Sequence, residues 1–241
     1  MSSDFRGQRA LVTGRTSGIG FGIAQALADA GVDVTATGVS AVSAVEAAAC
    51  DSRVRFQPLD VRNADAVQRL VAEFDSLNIL VHCAGTLLRN GQEFEPNRFL
   101  EVIDVNLSGT IRMCYACQPL LAKSHGCIVN IASMLSFFGS GFVPAYCASK
   151  GGVAQLTKSL AIAWAAENIR VNAVAPGWID TPLTRPLVAD SARSEQILQR
   201  TPMHRWGRPE DVSGPVLFLC SPAAAFVTGV ILPVDGGYSI V

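Results

Sequence analysis

Short apolar runs alternate with amphipathic segments along most of this 241-residue chain. The runs at 79–81 (ILV) and 128–131 (IVNI) are rich in Val, Ile and Leu, as buried strands are. Other stretches, such as 19–31 and 64–74, repeat apolar residues at helical spacing. Continuous apolar strands that alternate with helices are typical of a parallel sheet covered on both faces. We therefore predict an α/β fold with a single doubly wound, Rossmann-like domain over residues 1–241.

Three parts of the pattern extend this prediction. The alanine-rich segment 41–50 follows the second strand and indicates a helix, and a long helix begins near Pro96. Segment 181–200 is less regular, and we expect it to form a lid over a substrate pocket.

Composition and charge narrow the range of partners. Hydrophobic residues make up 49% of the chain, so it supplies a large core, and a formal net charge of −1 provides no attraction to nucleic acid or anionic membranes. The start, MSSDFRGQRALVTG, lacks the features of a secretion signal, and no apolar run reaches the ~20 residues of a membrane span. We expect a cytoplasmic protein with neither nucleic acid nor membrane as partner.

Seven cysteines, an odd number, are scattered along the chain. Cys114 and Cys117 have a C-x-x-C spacing, but no second Cys or His pair completes a tetrahedral zinc site. Both lie in an apolar helical stretch, where small buried thiols are the ordinary interpretation. We predict no metal site.

A glycine-rich segment, LVTGRTSGIG, joins the first strand to the first helix. Its glycines are Gly14, Gly18 and Gly20. Glycine permits a tight turn and lets backbone N–H groups approach a pyrophosphate at the positive end of a helix. This position in an open α/β sheet therefore predicts a dinucleotide site.

A second motif, AYCASK, places Tyr146 four residues before Lys150. Residues four apart share one helix face, so the ammonium lies beside the phenol. Ser133 ends the strand before this helix, and Asn106 lies further upstream. A Tyr-x-x-x-Lys pair alone is weak evidence, but with these residues and the dinucleotide loop it indicates an acid–base site.

Taken together, these motifs resemble the short-chain dehydrogenase/reductase family over essentially the whole chain. The matching positions are Thr13-Gly14-x-x-x-Gly18-Ile19-Gly20, Asp60-Val61, Ala84-Gly85, Asn106, Ser133, Tyr146-x-x-x-Lys150, Asn172 and Pro176-Gly177. The resemblance implies a seven-stranded parallel sheet, a homotetramer, and hydride transfer between a nicotinamide cofactor and a secondary alcohol or ketone.

The resemblance assigns the catalytic roles to Asn106, Ser133, Tyr146 and Lys150. Tyr146 is the general base in alcohol oxidation, and Ser133 bonds the substrate oxygen. Lys150 binds the nicotinamide ribose and, with the positive nicotinamide, should lower the pKa of Tyr146. Asn106 fixes a water molecule that carries the proton away.

The resemblance also implies the cofactor site. Its residues are Gly14, Arg15, Ser17, Gly18, Ile19, Gly20, Gly38, Asp60, Val61, Ala84, Gly85, Tyr146, Lys150, Pro176, Gly177, Ile179 and Thr181. In the family, Asp60 bonds the adenine amino group, and Thr181 with the loop at 176–177 holds the nicotinamide carboxamide.

The choice between NAD(H) and NADP(H) depends on the end of the second strand. Gly38 stands where an Asp would select NAD, and Val39 where NADP enzymes often carry Arg. Arg15 could pair with a 2′-phosphate, but the family's basic residue usually occupies the place of Ser17. The balance favours NAD.

One family motif differs here. The usual Asn-Asn-Ala-Gly after the fourth strand is replaced by His82-Cys83-Ala84-Gly85. A thiol cannot brace the strand end as the second Asn does. A His within a strand is most often structural, although His82 lies where it could reach the cofactor.

The predicted substrate residues are Met134, Leu135, Phe142, Trp178 and Arg185. The segments around Ser133 and RWGRPED resemble the sugar-acid branch, which contains gluconate 5-dehydrogenases and 2-deoxy-gluconate or 2-keto-3-deoxy-gluconate dehydrogenases. Arg185, His204 and Arg205 are candidates to hold a carboxylate, although the structural interpretation is favoured for Arg205.

Other functions remain open at this point. The apolar loop after Ser133 suits an apolar or cyclic ketone equally well, and a 3-ketoacyl thioester is a further alternative. A nucleotide-binding module without activity would be expected to lack one of the four catalytic residues. An enoyl reductase normally has a wider Tyr-to-Lys spacing.

Overall fold

The sheet has seven strands, all parallel. The computed structural model of this protein describes residues 5–14, 18–39 and 53–241. Its strands are β1 (Arg9–Thr13), β2 (Asp33–Gly38), β3 (Val54–Pro58), β4 (Ile79–His82), β5 (Cys127–Ile131), β6 (Arg170–Pro176) and β7 (Ile231–Val234). They lie in the order β3-β2-β1-β4-β5-β6-β7. The predicted parallel sheet is confirmed.

Helices cover both faces of this sheet. They are α1 (Gly18–Asp29), α2 (Ala64–Val71), α3 (Pro96–Ile103), α4 (Gly109–Ser124), α5 (Pro144–Ala163), α6 (Arg185–Ala189), α7 (Ser191–Arg200) and α8 (Pro209–Cys220). Helices α1 and α8 pack together on one face, and α2 packs on α4 on the other. The doubly wound Rossmann-like fold is confirmed.

Strand alternation divides the core into two layers. In β1, Ala10 and Val12 face the cluster under α1 and α8, whereas Leu11 faces the cluster under α2 and α4. Ile79 and Leu80 divide in the same way in β4. Burial of each large side chain stabilises the fold by about 1.5–3 kcal/mol.

The prediction of an irregular segment at 181–200 is wrong, because α6 and α7 fill most of it. Asp190 caps α7 by accepting a hydrogen bond from the backbone N–H of Arg193. Among the described side chains of α7, Ile197 is the one that is buried, so the segment has little apolar periodicity to read. The predicted helix at 41–50 lies outside the described residues.

The long helix predicted from Pro96 is present but interrupted. Residues Asp104–Ser108 form a π-helical turn between α3 and α4. Such turns insert one extra residue and are frequent at functional sites. This turn contains Asn106.

The carboxyl ends of β1 and β4 meet where the strand order reverses, which is where ligands bind in open α/β sheets. Gly14, with a φ of +72°, brings the loop after β1 within reach of the loop after β4, since a Cβ at this position would lie 2.4 Å from Ala84. Across residues 5–14, 18–39 and 53–241, no helix has both the length and the apolar character needed to cross a bilayer. A cytoplasmic location stays a prediction.

Candidate active site

The structure brings Ser133, Tyr146 and Lys150 together at the carboxyl end of β5. Ser133 follows the strand and is buried, and α5 presents Tyr146 and Lys150 to it. The Ser133 side chain lies near enough to the Tyr146 phenol to lower the pKa of that phenol. The Lys150 Nζ lies 5.6 Å from the centroid of the tyrosine ring. A hydroxyl, a phenol and an ammonium therefore converge as the sequence motif predicts.

A short turn fixes Ser133 against α5. The Ser133 Oγ accepts a hydrogen bond of 3.1 Å from the backbone N–H of Leu135. Ser136 Oγ accepts from the Ser133 N–H at 3.3 Å and donates to the Lys150 carbonyl at 2.7 Å. The strand end and the helix are thus tied together beside the reacting groups.

Burial controls the protonation of Tyr146. It raises the pKa of the phenol to about 12, and the hydrogen bond from Ser133 opposes this rise. The expected lowering of this pKa by Lys150 together with the positive nicotinamide applies to the protein with oxidised cofactor bound, and it stays a prediction.

Lys150 is itself buried, with 4% of the residue exposed. Its Nζ donates a hydrogen bond of 2.6 Å to the carbonyl of Ile131, the last residue of β5. Burial lowers the pKa of the ammonium to about 8, and Cys83 opposes this shift. The ammonium is thus held at the strand end next to the phenol.

Asn106 braces the loop after β4. Its Oδ1 accepts from the Thr86 N–H at 2.7 Å, and its Nδ2 donates to the Thr86 carbonyl and to Ser149 Oγ, each at 2.9 Å. Gly85 lies alongside, since a Cβ there would be 3.4 Å from Asn106 Oδ1 and 3.5 Å from Lys150 Nζ. The side chain of Asn106 is therefore engaged in holding the loop and α5 in place.

The unusual His82-Cys83 pair is uncharged. The His82 Nδ1 lies 2.9 Å from Thr13 Oγ1, and burial lowers the pKa of the imidazole to about 3. Thr13 Oγ1 also accepts from the Ala84 N–H at 3.3 Å. Burial raises the pKa of the Cys83 thiol to about 12. Thr13, bonded to both His82 and Ala84, joins β1 to the end of β4 where the second Asn is missing.

The glycine-rich loop contacts the loop after β6. Gly18 has a φ of +62°, and a Cβ there would lie 3.0 Å from Thr181 Cγ2. Ile19 and Gly20 continue into the first turn of α1. Arg15 and Ser17 lie outside the described residues. The two glycines in left-handed conformation, with the start of α1 directly behind them, fit a dinucleotide pyrophosphate.

The adenine side of the predicted site differs from the family expectation. Asp60 is bonded to Arg62, whose Nη2 donates to Oδ2 at 2.7 Å, and this contact lowers the pKa of the carboxyl. An adenine amino group would have to share Asp60 with this arginine. Val61 is buried and packs on Gly109. At the end of β2, Gly38 is buried and Val39 is 75% exposed, so neither supplies a charge.

The nicotinamide side contains the loop from Pro176 to Thr181. A Cβ on Gly177 would lie 2.7 Å from the Cα of Asp235, so this glycine is required for packing. The Ile179 side chain is buried and meets Gly207, so its backbone is what can face a ligand. Thr181 contacts Thr184 through its hydroxyl and its N–H.

The predicted substrate residues separate into three groups. Met134 is buried and Leu135 is half-buried. Phe142 is 70% exposed and lies 5.8 Å below the guanidinium of Arg193 in α7. Trp178 precedes the segment at 181–200, and Arg185, the first residue of α6 within it, is exposed.

An aromatic cluster holds Trp178 in place. Its ring meets those of Trp206 and Tyr238 edge-on, at centroid distances of 5.9 and 6.2 Å. The indole N–H is buried and finds no hydrogen-bond partner in the part of the chain that the structure describes. It is therefore available as a donor.

Arg205 has the structural role that the sequence favoured. Its guanidinium forms two hydrogen bonds with Asp211, of 2.6 and 2.8 Å, at the start of α8. Asp211 Oδ2 also accepts from the Arg208 N–H. A substrate carboxylate would have to displace this pair.

Two residues near the site belong to no sequence motif and were not predicted. Arg89 reaches from the loop after β4 and donates a 2.7 Å hydrogen bond to the carbonyl of Leu183, ahead of α6. Glu93, in the same loop, is completely buried. A single charged residue in a loop gives no signal in sequence, because its partner lies far along the chain.

Comparisons with known proteins agree with this geometry. A family model described as Enoyl-(Acyl carrier protein) reductase matches residues 14–239. The chain is 43% identical to a 2-dehydro-3-deoxy-D-gluconate 5-dehydrogenase of Bacillus subtilis (strain 168), covering 97% of this chain and 95% of the relative. It is 40% identical to a cis-4-hydroxycyclohexanecarboxylate dehydrogenase of Sinomonas cyclohexanicum, with complete coverage (100%) of both.

A solved structure has the same fold. It is that of a gluconate 5-dehydrogenase from Burkholderia cenocepacia J2315 in complex with NADP and tartrate. It is 34% identical to this chain with a TM-score of 0.93, and the match covers 100% of this chain and 99% of that one.

The chain belongs to the short-chain dehydrogenase/reductase family. It is an oxidoreductase that uses NAD(H) or NADP(H) and acts on a secondary alcohol or the corresponding ketone. Within the described residues, no group of His, Cys, Asp or Glu side chains is placed to hold a metal ion.

Replacing the buried lysine should stabilise the protein. Its pKa of about 8, against an ordinary 10.5, means that the unfolded chain binds the proton first as the pH falls. The loss of stability caused by Lys150 therefore increases as the pH falls from 10.5 to about 8, and it is fully present below about pH 8. Lys150→Met should therefore raise the free energy of unfolding at pH 7 by about 1–2 kcal/mol, after allowance for the Ile131 carbonyl it leaves unpaired.

Urea unfolding at pH 7 and at pH 10 measures this difference. The gain should shrink toward pH 10, because pH 10 is close to the ordinary pKa of 10.5 and the proton that Lys150 releases on folding then costs little free energy. Lys158→Met, at an exposed position on the same helix, serves as the control and should change little. A Lys150→Met protein that is less stable than the wild type at pH 7 would contradict this assignment.

Proposed function

We propose that this protein oxidises the secondary alcohol of a carboxylated polyol or sugar acid, and reduces the corresponding ketone in reverse. The observation that carries the proposal is the convergence of Ser133, Tyr146 and buried Lys150 beside the crevice between β1 and β4. When bound, the nicotinamide cofactor supplies the hydride acceptor or donor.

Each side chain has a defined task. Tyr146 takes the hydroxyl proton of the alcohol, and Ser133 donates a hydrogen bond to the substrate oxygen. Lys150 provides a fixed positive charge near the phenol, and its remaining N–H groups are donors for a cofactor ribose. Asn106 holds the loop and α5 in register and, as in the family, is assigned the water that carries the proton out.

The cofactor residues keep the roles implied by the resemblance. The start of α1, with Gly14 and Gly18, is assigned to the pyrophosphate, and the loop at 176–181 to the nicotinamide. Gly38 and Val39 supply neither an acid to repel a 2′-phosphate nor a base to bind it. The preference for NAD over NADP therefore stays a prediction, and the neighbour crystallised with NADP shows that this fold accepts that cofactor.

The substrate class is supported by the cations near the lid, which we define as α6 and α7 with the turn before them. Arg89, in the loop after β4, bonds the Leu183 carbonyl in the turn before α6, and Arg185 is the first residue of α6. Both relatives named above act on a molecule that combines a carboxylate with a secondary alcohol at a distance. A guanidinium that orients the carboxylate would leave the alcohol to Tyr146 and Ser133.

A second candidate is a carbonyl reductase for apolar or cyclic ketones or 3-ketoacyl thioesters. Exposed Phe142 and the aromatic cluster around Trp178 favour an apolar substrate. The chain is also 35% identical to a 3-oxoacyl-[acyl-carrier-protein] reductase of Chlamydia muridarum. The four-residue spacing from Tyr146 to Lys150 argues against enoyl reduction.

A homotetramer follows from the resemblance, and the surface supports it. Four large apolar side chains are exposed on α4, α5 and α8 or just after α8: Tyr115, Ile162, Phe218 and Phe226. Association of chains would remove these apolar side chains from water. We expect light scattering after gel filtration to give four times the mass of one chain, and a stable monomer would contradict this assembly.

The tyrosine variant tests the chemistry. Tyr146→Phe keeps the ring but loses the proton acceptor, so it should bind nicotinamide cofactor as the wild type does. Its turnover should fall by at least about 10²–10⁴-fold. Cofactor fluorescence and steady-state rates measure the two effects, and retained turnover in this variant would disprove the mechanism.

A panel of sugar acids, polyols, cyclic hydroxy acids and aryl ketones, each with NAD and NADP, tests the substrate class by absorbance of reduced nicotinamide.

Arg89→Gln and Arg185→Gln should raise KM for the carboxylated substrates by about tenfold each, because one charge-assisted bond is lost. Arg69→Gln, on the exposed side of α2, is the matched control. Turnover of apolar ketones alone would favour the second candidate.

A further inference from the structure

The helix that carries the phenol has no cap of its own. Val143 occupies the N-cap position of α5 without a side-chain hydrogen bond, and Pro144 follows as the first helical residue. The first N–H groups of a helix have no intrahelical partner and need an acceptor from elsewhere. Tyr146 is the third residue of α5, so its N–H is one of these unpaired donors.

Glu93 supplies the missing acceptor. It is completely buried, and its Oε2 accepts the Tyr146 N–H at 2.9 Å from 53 positions earlier in the chain. Its Oε1 accepts the Leu88 N–H, also at 2.9 Å. Both oxygens are thus engaged by backbone donors, and an acid at the start of a 20-residue helix is favoured by the helix dipole.

The same carboxylate connects the helix to the lid. Leu88 precedes Arg89, whose guanidinium bonds the Leu183 carbonyl at the start of the lid. Glu93 therefore stands between the loop that contacts the lid and the residue that carries the phenol. Two hydrogen bonds thus connect that loop to the backbone of Tyr146.

We propose that Glu93 is a positioning residue for the acid–base step: by holding the backbone N–H of Tyr146, it sets the phenol against Ser133 and couples it to the lid loop. This inference rests on the proposed function, since it gives Tyr146 the proton-transfer role. Glu93 touches neither substrate nor cofactor and acts through the tyrosine.

The charge of Glu93 gives the inference a signature beyond stability. Burial is the largest cause that raises the pKa of Tyr146, and the charges of Cys147 and Glu93 add to it. The Ser133 hydrogen bond lowers it, and the Lys150 ammonium lies 5.6 Å from the ring. Removing the negative charge should therefore move ionisation of the phenol to lower pH.

Glu93→Gln is the variant that tests this inference. A glutamine has one oxygen for two N–H groups, and its amide nitrogen would face a second donor. We expect kcat for alcohol oxidation to fall about 10–100-fold, with cofactor affinity unchanged. The rising limb of the kcat–pH profile should shift to lower pH.

Two further variants complete the series. Glu93→Asp keeps the charge but shortens the reach, so kcat should fall while the pH limb stays closer to that of the wild type. Glu95→Gln changes an exposed acid two positions away and should behave as the wild type in both measurements. Circular dichroism establishes whether each variant is folded. If Glu93→Gln does not fold, Glu93→Asp serves as the test variant.

Direct titration of the phenol separates this inference from the proposed function. Ultraviolet absorbance of each variant minus its Tyr146→Phe counterpart follows the ionisation of Tyr146 without substrate or cofactor. A shift to lower pH in Glu93→Gln supports the inference even if every alcohol in the panel is inert. Equal titration curves in Glu93→Gln and Glu95→Gln would overturn it, whatever happens to kcat.

Discussion

The burial of the Lys150 ammonium against the last carbonyl of β5 is the interaction on which the site depends. A charge removed from water needs acceptors, and the Ile131 carbonyl holds it at 2.6 Å. Gly85 packs beside it, since a Cβ there would lie in contact with Nζ at 3.5 Å. The same charge disfavours protonation of the neighbouring His82. A buried lysine destabilises the fold, so its retention indicates a role in chemistry.

The parallel sheet provides the rigidity that this placement requires. Two apolar layers, one on each face, fix the strands so that their carboxyl ends meet along one edge. Reacting groups from β5 and α5 are then joined by short hydrogen bonds through Ser136. Long-range bonds from Asn106 and Glu93 tie the loop after β4 to the same helix. The helix that carries the phenol is thus held by contacts through Ser136, Asn106 and Glu93.

The sequence predicts the strands, the glycine-rich turn and the convergence of Ser133, Tyr146 and Lys150. The hydrophobic periodicity of the strands, the glycines of the turn and the four-residue spacing on the helix can each be recognised within a short stretch of sequence. The sequence does not predict α7, which buries little, or Glu93, whose partner lies 53 positions away. Nor does it predict that burial raises the pKa of Tyr146 in the protein alone, since burial depends on the whole fold. Substrate choice is the least predictable, because it depends on exposed side chains such as Phe142 and Arg185.

A phenol with a pKa of about 12 in the protein alone should become a base once the positive nicotinamide lies beside it. Ultraviolet titration of Tyr146 with and without saturating oxidised cofactor, corrected with the Tyr146→Phe protein, measures this directly. We expect the cofactor to move ionisation of the phenol to distinctly lower pH. An ionisation midpoint that does not move when the cofactor binds would contradict it.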